Sequence, residues 1–366
     1  MEPDLKQIFE RFASEATFMT GKAFGNGHIH DTYLIVTTEK DKDNFILQRL
    51  NTNVFRNIPE LQNNIERITA HIRKKLSRIN DSDLKRECLT LIPSKEGSSW
   101  INDEKGNPWR LYIYIRDHRS YDTVNSPDIA YEAGKAIGRF QSQLADLPGE
   151  PLYETIPSFH DLGKRLDYFL EIRNEDPAKR AEGAKGEIEF ILKRSEEMMI
   201  IHRLGKSGKI PVRITHNDTK LNNVLFDEND KSMCIIDLDT VMPGFFHSDF
   251  GDTIRTGANI AAEDERDLSL VRMDITLFRA FAEGYLSETK GILKPVEKEH
   301  LPMAPLVMTY EQAMRFLADH IAGDIYYKIH HDNHNLERAR AQIRLLKNME
   351  EQYGEMKKIV EEIIRH

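Results

Sequence analysis

The chain is poor in cysteine: Cys88 and Cys234, far apart, are the only two among 366 residues. That count excludes a disulfide framework and a cysteine-built zinc site. It also lacks an excess of positive charge, with 51 Lys and Arg against 60 Asp and Glu and a net charge of −9. A nucleic-acid-binding surface needs a basic face to displace counterions, so that class is disfavoured, although a local basic pocket for a nucleotide is not. No stretch approaches the roughly 18 consecutive apolar residues of a membrane span. The opening MEPDLKQIFERFA is charged and amphipathic, without the apolar core of a secretory signal. These absences lead us to expect a cytoplasmic protein with reduced thiols, bound neither to membrane nor to nucleic acid. They leave its oligomeric state open.

What is present is a 366-residue chain with 40% hydrophobic and 30% charged residues. That is soluble-globular composition, at a length too great for one ordinary core. The character of the sequence changes along it. Residues 1–118 are strand-rich: FGNGHIHDTYLIV, NFILQRLN, ECLTLIP, SSWI and WRLYIYIRDH read as strands or strand entries. Short helices are expected over 3–16 and 59–76, the second ending in basic residues that suit its dipole. Residues 119–366 are mainly helical. Ser126 is placed to cap a helix, Pro127 stands in its first turn, and Ala130, Ala133, Ile137, Phe140 and Leu144 recur at helical spacing before Pro148. Residues 158–208 and 263 onward also read as helical, with strands between 212 and 239. The expected class is α+β: a small β-rich N-lobe (1–118) and a larger, mostly helical C-lobe (119–366).

Within the C-lobe, THNDTKLNNVLFD (215–227) packs His, Lys, two Asp and three Asn against a strand-like apolar run. The spacing is His216-x-Asp218-x-x-x-x-Asn223, and Asp237 follows fourteen residues after Asn223 in CIIDLDT, where it is expected to end the second strand of the hairpin. A loop of this kind aims one carboxylate at a substrate hydroxyl, while an amide and a second carboxylate hold Mg²⁺, which prefers a few hard oxygen ligands plus phosphates. The competing reading is a polar hairpin whose Asp and Asn serve its turns.

This motif set resembles the kinase-like phosphotransferases, and most closely their aminoglycoside and choline kinase branch. The resemblance implies a bilobal protein-kinase-like fold using ATP and Mg²⁺. It makes Asp218 the catalytic base, Lys220 a contact to the transferred phosphoryl group, His216 an orienting residue, and Asn223 and Asp237 the metal ligands. Asp239 is a weaker metal candidate. Asp249-Phe250-Gly251 imitates the kinase metal tripeptide but lies 26 residues past Asn223. Asp249 is therefore expected to brace the loop, and Asp252 and Arg255 to form an ion pair at a helix start.

Gly25, Asn26, Gly27 and His28 form a glycine-punctuated turn suited to covering phosphates. Where the family commonly has a lysine on the third strand, FILQRLN offers Gln48 or Arg49; register decides which faces inward, and alignment favours Gln48. Glu60 or Glu66 would be its helix partner. Tyr114 begins the expected hinge, 114–118, where adenine would meet the backbone.

FILQRLN, IPSFHDL, DLDTVMPGFFHSDFGD and MRFLADHIAGDIYYKIHHDNHNLERARAQ extend the resemblance over nearly the whole chain, toward the N-acetylhexosamine 1-kinases. Those enzymes use ATP to phosphorylate the anomeric hydroxyl of N-acetylglucosamine or N-acetylgalactosamine, which implies a place in carbohydrate metabolism. His30, His160, Arg315 and Asp319 are the candidate substrate residues. Arg315 and Asp319 equally suit an ordinary i,i+4 helix salt bridge. His330, His331 and His334 match no strict zinc spacing. The alternatives are a same-fold kinase of another small alcohol (an aminoglycoside, choline or a homoserine-like substrate) and a nucleotide-binding module without turnover.

Overall fold

The computed structural model describes residues 3–25, 29–39, 42–124 and 126–366. The N-lobe is a six-stranded antiparallel sheet of β1 (Phe18–Ala23), β2 (Asp31–Thr37), β3 (Phe45–Arg49), β4 (Leu91–Ile92), β5 (Ile101–Asn102) and β6 (Pro108–Ile113). Strand order is β1-β2-β3-β6-β4, with β5 also paired to β6. Phe45, Leu47, Trp109 and Leu111 project from one face and pack with Ile8, Phe9 and Phe12. The opposite face of β3 carries Ile46 and Gln48, as the two-residue side-chain period requires.

Helix α1 is Leu5–Phe9, shorter than the expected 3–16. The chain leaves the helix because Phe12 bridges Ser94 and Ala13 donates its N–H to the Pro93 carbonyl at 2.8 Å, so a strand-like pairing replaces the next turn. Helix α2 (Ile58–Leu76) is capped by Asn57, has Pro59 in its first turn and ends in Arg73, Lys74 and Lys75. Its Ile65, Ile68 and Ile72 bury against Phe140, Leu144, Leu238 and Val241 of the C-lobe.

The C-lobe begins with α3 (Pro127–Leu144), capped by Ser126, whose five expected apolar positions are all buried. Helices α4 (Leu162–Glu175), α5 (Lys185–Met198) and α6 (Ile200–Lys206) follow. Two small antiparallel ribbons come next: β7 (Arg213–Thr215) with β10 (Met242–Gly244), and β8 (Val224–Phe226) with β9 (Ser232–Ile235). Helices α7 (Phe246–Gly257), α8 (Ile275–Thr289), α9 (Pro295–His300), α10 (Ala304–Ala322) and α11 (His334–Arg365) complete the lobe around one large apolar core. The expected helical stretch from 263 is interrupted before α8 and between α10 and α11. Among the described residues no helix is long and apolar enough to cross a membrane.

Candidate active site

The polar strip lies between the two ribbons. β7 leads in, the loop crosses at 216–223, and β8 leads out. Asp249, on α7, braces it: its carboxylate accepts the His216 N–H at 2.8 Å and the Asn217 N–H at 2.7 Å, and its carbonyl accepts the Thr219 hydroxyl at 2.8 Å. Gln141 donates to the same carboxylate at 2.7 Å and is itself held by the Tyr285 hydroxyl at 2.6 Å. The Asp-Phe-Gly triplet thus serves as a buried strut, as its distance from Asn223 predicted. Asn217 takes a left-handed backbone, φ 65°, a conformation asparagine tolerates better than most residues. Its side chain is committed to Thr215 and Thr240.

His216 is fully buried, with both ring nitrogens taken up by the protein. Its Nε2 donates to the Ile236 carbonyl at 2.9 Å and its Nδ1 accepts the Asp218 N–H at 3.3 Å, so the imidazole links the loop to the segment carrying Asp237. Asn223 donates its side-chain N–H to the Asp218 carbonyl at 2.9 Å, which leaves the amide oxygen as the group free to bind a cation. Asp237 does not end a strand; it sits two residues past β9 in a left-handed conformation, φ 61°, at the entry to a 3-10 turn over Leu238–Thr240. A non-glycine residue there is held by its surroundings.

Burial, with Asp239 and Asp218 close by, pushes the Asp237 carboxyl up to about 7. Such a concentration of like charge is what a divalent cation relieves, and Asn223 and Asp237 supply the hard oxygens Mg²⁺ favours. The Lys220 ammonium stands 3.0 Å from Asp218; burial works against its charge, but Asp218 outweighs this and holds it above the usual lysine range.

On the N-lobe side, Gln48 is the inward residue. Its amide donates to Thr32 at 3.1 Å and accepts from Arg110 at 2.9 Å. Arg49 turns outward to pair with Asp31, so it does not replace the strand lysine. Arg110, on β6, was overlooked because it reads as one charge in an aromatic strand. It is 1% exposed and forms two 2.6 Å bonds to Asp239. Burial opposes the Asp239 charge, but Arg110 and His30 hold its carboxyl well below the ordinary range. Both Asp239 oxygens are therefore committed, which argues against the weaker metal assignment. The carboxylate partner in this cleft comes from the C-lobe rather than from Glu60 or Glu66 on α2.

His30 faces inward: its Nδ1 accepts the Asn51 N–H at 3.0 Å and its Nε2 lies 3.5 Å from Asp239. It joins the Arg110 cluster, not the acceptor side. Tyr114 stacks edge-on with Phe24 and His118 at the expected hinge. Gly25 has φ 76°, a turn conformation that suits glycine. Asn26, Gly27 and His28 lie outside the described residues.

On the acceptor side, His160 is held between the Glu311 carboxylate at 2.8 Å and the Asn217 carbonyl at 3.1 Å. Burial disfavours its charge, yet Glu311 raises it above the ordinary histidine value, consistent with both nitrogens facing acceptors. Arg315 does not pair with Asp319. It reaches back to Gln312 at 3.3 Å and Glu311 at 3.9 Å, and lies among the rings of Phe159, Tyr326 and Tyr327. Asp319 is buried and accepts the N–H groups of Ile325, Tyr326 and Tyr327 at 2.8–3.0 Å, so it shapes the loop beside Arg315 instead of meeting a ligand. Glu311 and the tyrosines were missed from the sequence; the YEQAMR run, placing Glu311 one turn before Arg315, held the available signal. Asp252 pairs with Arg255 at 2.8 Å, inside α7 rather than at its start. His331 and His334 pair with Glu337 and Asp264.

A small antiparallel sheet above a helical lobe, with a braced His-x-Asp loop between them, defines a protein-kinase-like phosphotransferase. The sequence profile of the phosphotransferase enzyme family (APH) matches residues 20–286, and the chain belongs to that family, whose members are small-molecule kinases. Its fold is similar to that of an aminoglycoside phosphotransferase from Alicyclobacillus acidocaldarius (TM-score 0.65, 10% identity, 99% of this chain and 98% of that one). It is also similar to a spectinomycin phosphotransferase solved with ADP and spectinomycin (0.56, 14%, 98% and 97%). A third similar structure is a choline kinase from Streptococcus pneumoniae (0.53, 12%, 91% and 94%).

Proposed function

We propose that this small-molecule kinase transfers the γ-phosphoryl group of ATP to the anomeric hydroxyl of an N-acetylhexosamine, in the cytoplasm. The observation that carries the acceptor reading is Arg315. Its guanidinium, ringed by Phe159, Tyr326 and Tyr327 and close to Arg165, disfavours a cationic acceptor such as choline or an aminoglycoside. Donors and aromatic faces together suit a neutral, hydroxyl-rich ring carrying an amide. Tyr326, 63% exposed, gives such a ring a face to lie on.

In this reading the lobes meet at 114–118 and the nucleotide lies under the sheet, its adenine end near Tyr114 and its phosphates below the turn at Gly25. Asp218 takes the proton of the anomeric hydroxyl as that oxygen bonds to the γ-phosphorus; the bond to the bridging oxygen breaks and ADP leaves with the electron pair. Lys220, 3.0 Å from Asp218, would contact the moving phosphoryl group. Asn223 and Asp237 would hold Mg²⁺, which neutralises the phosphate charge when bound.

The test is ADP release with ATP and Mg²⁺ across N-acetylglucosamine, N-acetylgalactosamine, unsubstituted hexoses, choline, homoserine and an aminoglycoside, with NMR locating the phosphate. Turnover on N-acetylhexosamines alone, with the phosphate on the anomeric oxygen, is expected. Turnover confined to another acceptor overturns the substrate assignment and leaves the family assignment standing.

A further inference from the structure

The cleft holds a polar ladder that the reaction just described does not use. Thr32, Gln48 and Arg110 are register partners on three adjacent strands, β2, β3 and β6. Their side chains bond in sequence: Gln48 to Thr32 at 3.1 Å, and Arg110 to Gln48 at 2.9 Å. The ladder ends in the C-lobe on Asp239, where Arg110 makes two bonds of 2.6 Å and both residues are 1% exposed. Asp239 lies two residues beyond Asp237, inside the 3-10 turn whose first neighbour is the left-handed Asp237.

The same turn holds the loop of Asp218. The Thr240 hydroxyl donates to the His216 carbonyl at 2.7 Å, and the Thr240 carbonyl accepts from Asn217 at 2.9 Å. The Asp239 carbonyl is fixed in turn by the Thr155 hydroxyl at 2.7 Å.

We propose that Arg110 is a positioning residue for the metal site: through Asp239 it ties the N-lobe sheet to the turn that aims Asp237, filling from β6 the cationic place that β3 leaves to Gln48. The inference rests on the nucleotide–Mg²⁺ reading above. Its physical basis is that a planar guanidinium, oriented by Gln48 and bonded bidentately, fixes both distance and angle, which a flexible ammonium does not. A buried pair of this kind contributes little net stability against a hydrophobic replacement, so its effect falls on geometry.

The experiment measures ADP affinity with and without Mg²⁺ by calorimetry, and the Mg²⁺ concentration giving half-maximal turnover. It compares wild type, Arg110→Lys, and the charge-free double variant Arg110→Met/Asp239→Leu. We expect folded variants whose metal-free ADP affinity is nearly unchanged, with half-saturating Mg²⁺ raised about tenfold or more. Arg110→Lys should fall between wild type and the double variant. A folded double variant with wild-type Mg²⁺ dependence overturns the proposal. So does failure of both variants to fold, since the pair then serves stability alone. Wild type binding ADP with no response to Mg²⁺ overturns the metal-site reading together with this inference; wild type responding to Mg²⁺ while the variants respond equally overturns this inference only.

Discussion

Three carboxylates of the site have different surroundings. Asp218 faces Lys220, Asp237 is crowded by its neighbours, and Asp239 is neutralised by Arg110. Under the proposed mechanism Asp218→Asn keeps the shape and loses the base, so turnover should fall by roughly a thousandfold with ADP affinity nearly unchanged; steady-state kinetics beside calorimetry checks both. Asp237→Ala should remove the Mg²⁺-dependent part of ADP binding, read in the same titration. His160 gives a pH prediction. Its folded value lies above the ordinary one, so its contribution to stability is complete below the unfolded value, about 6.5, and disappears as pH rises through the folded value. The unfolding free-energy difference between wild type and His160→Gln should therefore shrink as pH is raised from about 6 to 8. The loop was readable in the sequence because its chemistry needs fixed spacings: 216, 218 and 223 sit on one short turn, which Asp249 and Thr240 then brace from outside. Arg110 and Glu311 were not readable, because each acquires its partner across the fold, Asp239 and His160 respectively.

At the scale of elements, helices that press together carry the loop. α3 and α8 approach through glycines: a Cβ on Gly284 would lie 1.9 Å from the Tyr131 carbonyl oxygen, and one on Gly134 2.2 Å from that of Phe281. Gly284→Ala must push the two backbones apart and should destabilise by about 1–3 kcal/mol or more in urea unfolding. The disturbance should reach the loop, since Gln141 on α3 and Tyr285 on α8 meet at Asp249. Asp249→Ala leaves two buried backbone N–H groups and the Gln141 side-chain amide without an acceptor and should cost on the order of 3 kcal/mol, with turnover falling as the loop loosens. Helix limits in the sequence came from caps and prolines, and Ser126 and Pro127 mark a true start. α1 ended early because a contact with Ser94, remote in sequence, outcompeted its last turns.

For the whole molecule, the sheet and helical lobe are joined by α2 against the C-lobe core and by Arg110 against Asp239. A ligand that binds between the lobes stabilises the folded state by mass action, about 2.7 kcal/mol at a hundredfold excess over its Kd. Mg²⁺ with ADP should accordingly raise the melting temperature, and EDTA should return it toward the ADP-only value in a thermal scan.

The sequence by itself determined the strand-rich and helical halves and the spacing of the loop, because periodicity and short spacings are local properties that the backbone expresses directly. It narrowed the strand-lysine question to Gln48 or Arg49, and only the pairing of β3 between β2 and β6 turned one inward and the other out. Only the tertiary structure made Asp319 a loop anchor and gave Arg315 its aromatic surroundings. It also delivered the cleft's buried cation from Arg110. Those assignments depend on which distant groups compete for each charge, and no spacing along the chain records that competition.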